Sequence, residues 1–160
     1  MNIDLIVILT LAATVFTGLL AGASVDKALV QLPARRRLGA IAFANFSRAN
    51  DLGNGLIVYP ILGVGAALLT ILAALAAVLN GTPLAQAWPL YVAALLALLH
   101  TFTTTRAAPN MLLLRHLTDH DETKSAAALD RFARWHNIRA VVIVLNFVVL
   151  VWAVVTYLTA

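Results

Sequence analysis

Long uncharged stretches alternate with basic segments along the chain. Residues 52–105 contain no Asp, Glu, Lys or Arg, and only residues 80–83 interrupt their apolar character. Two further uncharged runs cover residues 5–25 and 140–160. At about 1.5 Å per helical residue, each of these runs reaches about 30 Å, the thickness of the bilayer's hydrocarbon core. The pattern predicts an all-α membrane four-helix bundle in one domain, residues 1–160, with spans at about 4–24, 54–79, 87–105 and 139–158.

The charged residues predict how the bundle is oriented. They make up only 11% of the chain, against about 25% in typical soluble domains. Every Lys and Arg lies within residues 27–48 or 106–139, which are the connections after the first and third spans. This distribution follows membrane topology and argues against a nucleic-acid partner, despite the net charge of +4. The positive-inside rule places both connections in the cytoplasm and both termini outside, in a multi-pass protein of the inner (cytoplasmic) membrane whose first partner is the lipid bilayer.

The two basic connections differ in their expected structure. Residues 43–51 have the composition of either an interfacial helix or the start of the second span. Pro60 lies inside that span and predicts a kink, because proline removes a backbone hydrogen bond. From Thr123 onward the chain has neither Pro nor Gly, so one helix is expected to run from the cytoplasm straight into the fourth span.

Small residues four positions apart in the first two spans predict close helix packing. Such pairs let helix backbones approach in lipid, where no hydrophobic force drives helices together. The same Gly and Ala faces could instead support a homo-oligomer. The pairs are Gly18 with Gly22, Gly63 with Ala67, and Ala73 with Ala77.

Each span carries one polar side chain at a similar depth from its cytoplasmic end. These residues are Thr17, Tyr59, His100 and Asn146, and the helical rise places all of them about 9–14 Å into the membrane. Thr104 shares the face of His100. Polar groups at that depth usually face the bundle interior or a wet cavity, so a polar pocket is predicted in the inner leaflet. The alternative is that Thr and Tyr bond backbone carbonyls while Asn146 joins two helices.

A second polar group opens the fourth span. Trp135, Arg139 and Asn146 fall on one helical face, and His136 and Arg139 are i, i+3 neighbours. This face leads from the cytoplasmic mouth to the polar layer, which favours a binding site for a hydrophobic small molecule. The alternative is an interfacial anchor, with Trp135 in the aromatic belt and Arg139 reaching the phosphates.

Other familiar chemistries have little support in the sequence. His116 and His120 stand at i, i+4 beside three carboxylates, but without an established metal-ligand spacing, and whether they bind metal stays open. The chain has no Cys, which excludes disulfides and thiolate chemistry. Gly-rich phosphate loops, nucleophile elbows and His-Glu-x-x-His are absent. Neither a metal nor a cofactor is therefore predicted.

The layout and two short motifs resemble the anthrone-oxygenase-like family of small four-span membrane proteins. The motifs are Phe102-Thr103 leading to Pro109-Asn110-Met111-Leu112, and Trp135-His136-Asn137-Ile138-Arg139. The resemblance implies oxidation of an anthrone's central methylene to a quinone by dioxygen, without an evident flavin or metal.

The resemblance also implies roles for individual residues. His136 would act as the base, with His100 as a competing candidate deeper in the bundle. Arg139 and Asn110 would hold the developing phenolate, and Trp135 would stack on the flat substrate.

Two other functions stay open. The chain could be a non-enzymatic accessory subunit that holds a quinone or a lipid between its helices. Arg48-Ala49-Asn50 ahead of Tyr59-Pro60 also suggests the glutathione-dependent family of four-span eicosanoid enzymes, but the expected Asn-x-x-Glu between them is missing.

Overall fold

The computed structural model describes residues 5–159, and these residues form helices joined by short connections. A π-helical turn, Lys27–Gln31, follows the first helix, and a second, Asn50–Asn54, precedes the fourth. A 3-10 turn, Leu113–His116, follows the fifth. The α-helices are α1 (Leu5–Asp26), α2 (Leu32–Leu38), α3 (Ala40–Ala49), α4 (Gly55–Leu79), α5 (Leu84–Leu112) and α6 (Glu122–Leu158).

Four helical stretches are long and apolar enough to cross a membrane, as the hydrophobic pattern predicts. They are Leu5–Leu38, Ala40–Leu79, Leu84–His116 and Glu122–Leu158. Each contains one predicted span, apart from position 4, which lies outside the described residues. The protein is therefore an all-α, multi-pass membrane protein.

The four long helices form a closed ring of neighbours. Helix α1 packs against α4, α4 against α5, α5 against α6, and α6 returns to α1. At one end, called here the turn end, α4 and α5 are joined by a tight turn in which Gly81 has φ +64°. The other end, called the basic end, carries α2, α3 and the connection between α5 and α6. The core of the turn end consists largely of alanines that let the helices approach closely, including Ala13, Ala73, Ala77, Ala93 and Ala153.

Glycines and alanines of the predicted small-residue pairs pack helices within this one bundle. Gly18 faces the ring of Phe147 on α6, and Ala73 and Ala77 are fully buried. Gly22 is exposed and has nothing near the position of a Cβ atom. A homo-oligomer through these faces stays a prediction.

At the basic end, α3 forms a helix of its own that packs against α6. Between α3 and α4, Gly53 has a non-helical backbone conformation (φ −88°, ψ −119°), so the chain bends seven residues before Pro60. Arg48 of α3 fixes the connection between α5 and α6, because its Nε donates to the Leu114 carbonyl at 2.9 Å and its Nη2 to the Leu117 carbonyl at 2.5 Å.

Helix α6 is continuous over 37 residues, which confirms the prediction of one helix running into the fourth span. Its start is organised by Asp121. The carboxylate accepts hydrogen bonds from Lys124 Nζ at 2.9 Å and from the backbone N–H and the hydroxyl of Thr118 at 3.1 and 3.0 Å. These donors, Lys124 foremost, lower the pKa of Asp121 to about 2.

Candidate functional site

A cavity of about 610 Å³ lies between α4 and α5, toward the basic end of the bundle. Its back wall is formed by Ser24 on α1, by Lys27 in the π-helical turn that follows α1, and by Phe132, His136 and Arg139 on α6. Helix α4 lines it from Gly55 to Ile71, which corresponds to a length of about 24 Å at helical rise. The size and length suit a ligand of several rings or a long chain rather than a single small ring.

The cavity opens between α4 and α5, toward the outer surface of the bundle. Its lining includes Val64, Leu68 and Leu98, whose side chains are 58%, 56% and 57% exposed. Helices α4 and α5 pack less closely against each other than α5 and α6 do. Exposed leucines and valines on a membrane-spanning helix face lipid, so the mouth of the cavity faces the bilayer.

The cavity is polar at one end and apolar along the rest of its length. Toward the turn end, the walls are aliphatic side chains and small residues, including Gly63 and Ala67. At the basic end the polar groups converge, contributed by α4, α5, α6 and the two π-helical turns. These are Lys27, Asp51, Tyr59, His100, Thr104, His136 and Arg139.

His136 is held by hydrogen bonds at both ring nitrogens. Nδ1 lies 2.8 Å from Arg139 Nη2, and Nε2 lies 3.1 Å from the carbonyl oxygen of Ser24. Because a guanidinium only donates, Nδ1 must accept, and the proton therefore sits on Nε2 and is donated to Ser24. The ring also stacks on the ring of Phe132, with 5.3 Å between the ring centroids. His136 is thus a neutral imidazole that joins α6 to α1.

His100 differs from His136 because no hydrogen bond from the described residues holds its ring. The side chain is buried and lines the cavity, and its Nε2 has no hydrogen-bond partner among the described residues. The hydroxyls of Thr103 and Thr104 do not reach the ring, since both donate to the backbone carbonyl of His100 at 2.9 Å. The unpaired ring could therefore serve a ligand in the cavity as an acceptor, a donor or a base.

Lys27 and Asp51 form a buried ion pair beside the histidines. Their side chains are only 5% and 7% exposed. Each belongs to one of the two π-helical turns, which are irregularities often found at functional sites. Arg139 interacts electrostatically with Asp51, and its Nε is shielded from solvent and finds no hydrogen-bond partner among the described residues.

The structure brings some of the predicted site residues together and leaves others apart. His100, His136, Arg139, Tyr59 and Thr104 line the same cavity.

Thr17 and Asn146 are buried but lie outside the cavity lining, and Thr17 Oγ1 and Asn146 Oδ1 have no hydrogen-bond partner within residues 5–159. Their place in a shared polar layer and their contribution to a ligand site stay predictions.

Asn110 and Trp135 also lie outside the cavity lining. Asn110 accepts from Arg131 Nε at 3.0 Å and donates to the Arg106 carbonyl at 2.8 Å. Trp135 meets Phe102 edge to face, with 6.5 Å between the ring centroids. In this arrangement both residues connect α5 to α6.

Sequence reasoning missed Lys27 and Asp51. Lys27 lies two positions after the uncharged run 5–25, and Asp51 directly precedes the run 52–105. Opposite charges at facing ends of two neighbouring spans are a usable signal for a buried pair. The hydrogen bond to the Ser24 carbonyl could not be predicted from residue types, because every residue has a backbone carbonyl.

The described residues contain no group of three or more His, Cys, Asp or Glu side chains placed to hold a metal ion. This includes the surroundings of His116 and His120.

Comparisons with known proteins found no match. No protein-family model, no curated protein and no solved structure matches the chain.

Proposed function

We propose that this protein binds a flat hydrophobic molecule that enters its cavity from the bilayer and places a polar oxygen at the basic end. The observation that carries the proposal is buried His100, whose ring has no hydrogen-bond partner among the described residues and lines the polar end of a cavity whose other walls are apolar. Such a cavity matches a molecule with a rigid apolar body and one hydrogen-bonding end. A lateral mouth fits a ligand dissolved in lipid.

The proposal includes the orientation of the protein. Both basic connections would lie in the cytoplasm and both termini outside, because cytoplasmic segments next to spans carry the excess of Lys and Arg. The membrane would be the inner membrane, and the polar end of the cavity would lie in its cytoplasmic leaflet.

The chemistry proposed for this site is cofactor-independent oxidation of an anthrone-like phenol. A base removes a proton from the doubly benzylic methylene, and the electron pair remains in the extended anion. Dioxygen adds to that carbon, the proton returns to give a hydroperoxide, and loss of one water leaves the quinone carbonyl. Overall, anthrone and dioxygen give quinone and water.

His100 suits the role of base better than His136, which the family resemblance favoured. Both ring nitrogens of His136 already have partners, and its proton lies on the nitrogen that bonds Ser24. His100 lines the cavity, and no hydrogen bond from the described residues holds its ring. A base must reach the proton it removes, and only a nitrogen without a partner in the protein can do so without breaking a bond.

Oxygen consumption with anthrone as substrate tests this chemistry, after subtraction of the rate without protein. The variant His100→Gln should lose about 100-fold or more of the rate, which is the usual contribution of a general base. His120→Gln, in the exposed connection before α6, is the matched control and should keep the full rate. A full rate in His100→Gln would overturn the role of His100.

A second candidate function is a non-enzymatic subunit that holds a quinone or a lipid. The length of the apolar wall from Gly55 to Ile71 favours it, because a reaction at the polar end needs no such length. In that case the purified wild-type protein would bind ubiquinone or phospholipid and would not consume anthrone above the background rate.

A further inference from the structure

The charges around the cavity are not balanced. With the two histidines neutral, its lining holds two cations, Lys27 and Arg139, and one anion, Asp51. Asp51 is engaged by Lys27 in the buried ion pair. Arg139 has no carboxylate within ion-pair distance among the described residues.

The other described carboxylates cannot supply the missing charge. Asp119 and Asp130 pair with arginines of α2 and α3, and Asp121 pairs with Lys124. Asp26 is exposed and accepts a hydrogen bond from Gln31, and Glu122 is exposed at the start of α6. All of them contact groups outside the cavity or lie at the surface.

The guanidinium of Arg139 is held at one nitrogen and unpaired at another. Its Nη2 is held by His136 Nδ1, which is itself fixed by the hydrogen bond to Ser24. Its Nε is shielded and has no hydrogen-bond partner in the part of the chain that the structure describes. A cation placed inside a membrane bundle without a counter-ion is costly, and such groups usually mark a path or a site for an opposite charge.

We infer that the cavity selects an amphiphile with one negatively charged oxygen group, a carboxylate or a phenolate, which is bound by Arg139 while its apolar body lies along α4. This inference rests on the proposed function and names its ligand class. The bound anion would bring the charge of the lining to zero. The apolar body would fill the space beside Gly63, where a Cβ atom would meet only Leu20 Cδ2 at 4.0 Å.

Binding of a matched pair of probes tests the inference. The probes are anthraquinone-2-carboxylate and anthraquinone-2-carboxamide, which share a flat body and differ in charge. Equilibrium dialysis is performed on the full-length protein in a neutral detergent. Wild type should bind the carboxylate at least about tenfold more tightly, the usual gain of a hydrogen bond to a charged group.

Variants test the site of the ligand's charged group and the site of its apolar body separately. In Arg139→Gln the preference for the carboxylate should fall below about threefold, whereas Arg134→Gln, an exposed arginine of the same helix, should retain it. Arg139→Lys keeps the charge and should retain part of the preference. Gly63→Leu should weaken the binding of both probes equally. Gly22→Leu, where nothing lies near the new side chain, should leave the binding of both unchanged.

The outcomes distinguish this inference from the proposed function. Equal binding of both probes to wild type, abolished by Gly63→Leu, would overturn the anion selectivity and leave the ligand site standing. A preference that survives in Arg139→Gln would also overturn it. If neither probe binds wild type better than Gly63→Leu, both proposals fail. Where the preference holds, displacement by oleate points to a fatty acid, displacement by phosphatidate to a bilayer lipid, and displacement by neither to a polycyclic acid.

Discussion

Two glycines of the membrane bundle differ in what a side chain would meet. A Cβ atom on Gly65 of α4 would lie 2.7 Å from the Cδ1 and Cε1 atoms of Phe16 on α1, closer than real atoms pack. A Cβ atom on Gly22 of α1 would have nothing within 4 Å. Of these two glycines, only Gly65 allows two helices to approach through its lack of a side chain.

Replacing each glycine by alanine should therefore have opposite effects on stability. Gly65→Ala should lower the free energy of unfolding by about 1–3 kcal/mol, because the Phe16 ring or a helix must move. Gly22→Ala should leave it unchanged or raise it by up to about 1 kcal/mol, because alanine favours the helix. Unfolding in mixed detergent and SDS measures both. Equal losses in the two variants would contradict the packing between α1 and α4.

At the residue scale, the sequence did not predict which partner each side chain meets. Composition and depth identified His100, His136 and Arg139 as polar groups facing the interior. They could not show which histidine is free, because that depends on a carbonyl of Ser24 that comes within reach only when α1 packs against α6. The spacing of Gly18 and Gly22 likewise could not show that only Gly18 meets an aromatic ring.

At the scale of elements, the hydrophobic pattern predicted the number and position of the long helices well. It placed the end of the third span at residue 105, whereas α5 continues to Leu112 past Arg106. A helix that leaves the membrane keeps its backbone hydrogen bonds, so charge marks the edge of the lipid and not the end of the helix. The sequence predicted a kink at Pro60, which lies inside α4, and did not predict the bend at Gly53.

The orientation of these elements can be tested because the chain contains no cysteine. Single cysteines at Arg36 and His120 should react with a membrane-impermeant maleimide only after the cells are permeabilised, since the positive-inside rule places both segments in the cytoplasm. A cysteine at Asn80, in the turn between α4 and α5, should react in intact cells. The reverse labelling pattern would contradict the proposed orientation.

At the scale of the whole molecule, the bundle combines a tight half and an open half. Alanines close the turn end, while α4 and α5 leave the cavity between them toward the basic end. The sequence predicted a polar pocket in one leaflet. It could not predict the lateral mouth or the unbalanced charge, because both depend on which helices are neighbours and how closely they pack.

The central claim is that this cavity holds a hydrophobic ligand taken from the membrane. Mass spectrometry of molecules that co-purify in a mild detergent tests it most directly, with wild type compared with Gly63→Leu, whose new side chain would fill the cavity. Wild type should carry an acidic amphiphile that is depleted at least about tenfold in the variant, as expected when bulk is forced into a ligand's space. The same bound molecules in equal amounts in both proteins would contradict the claim.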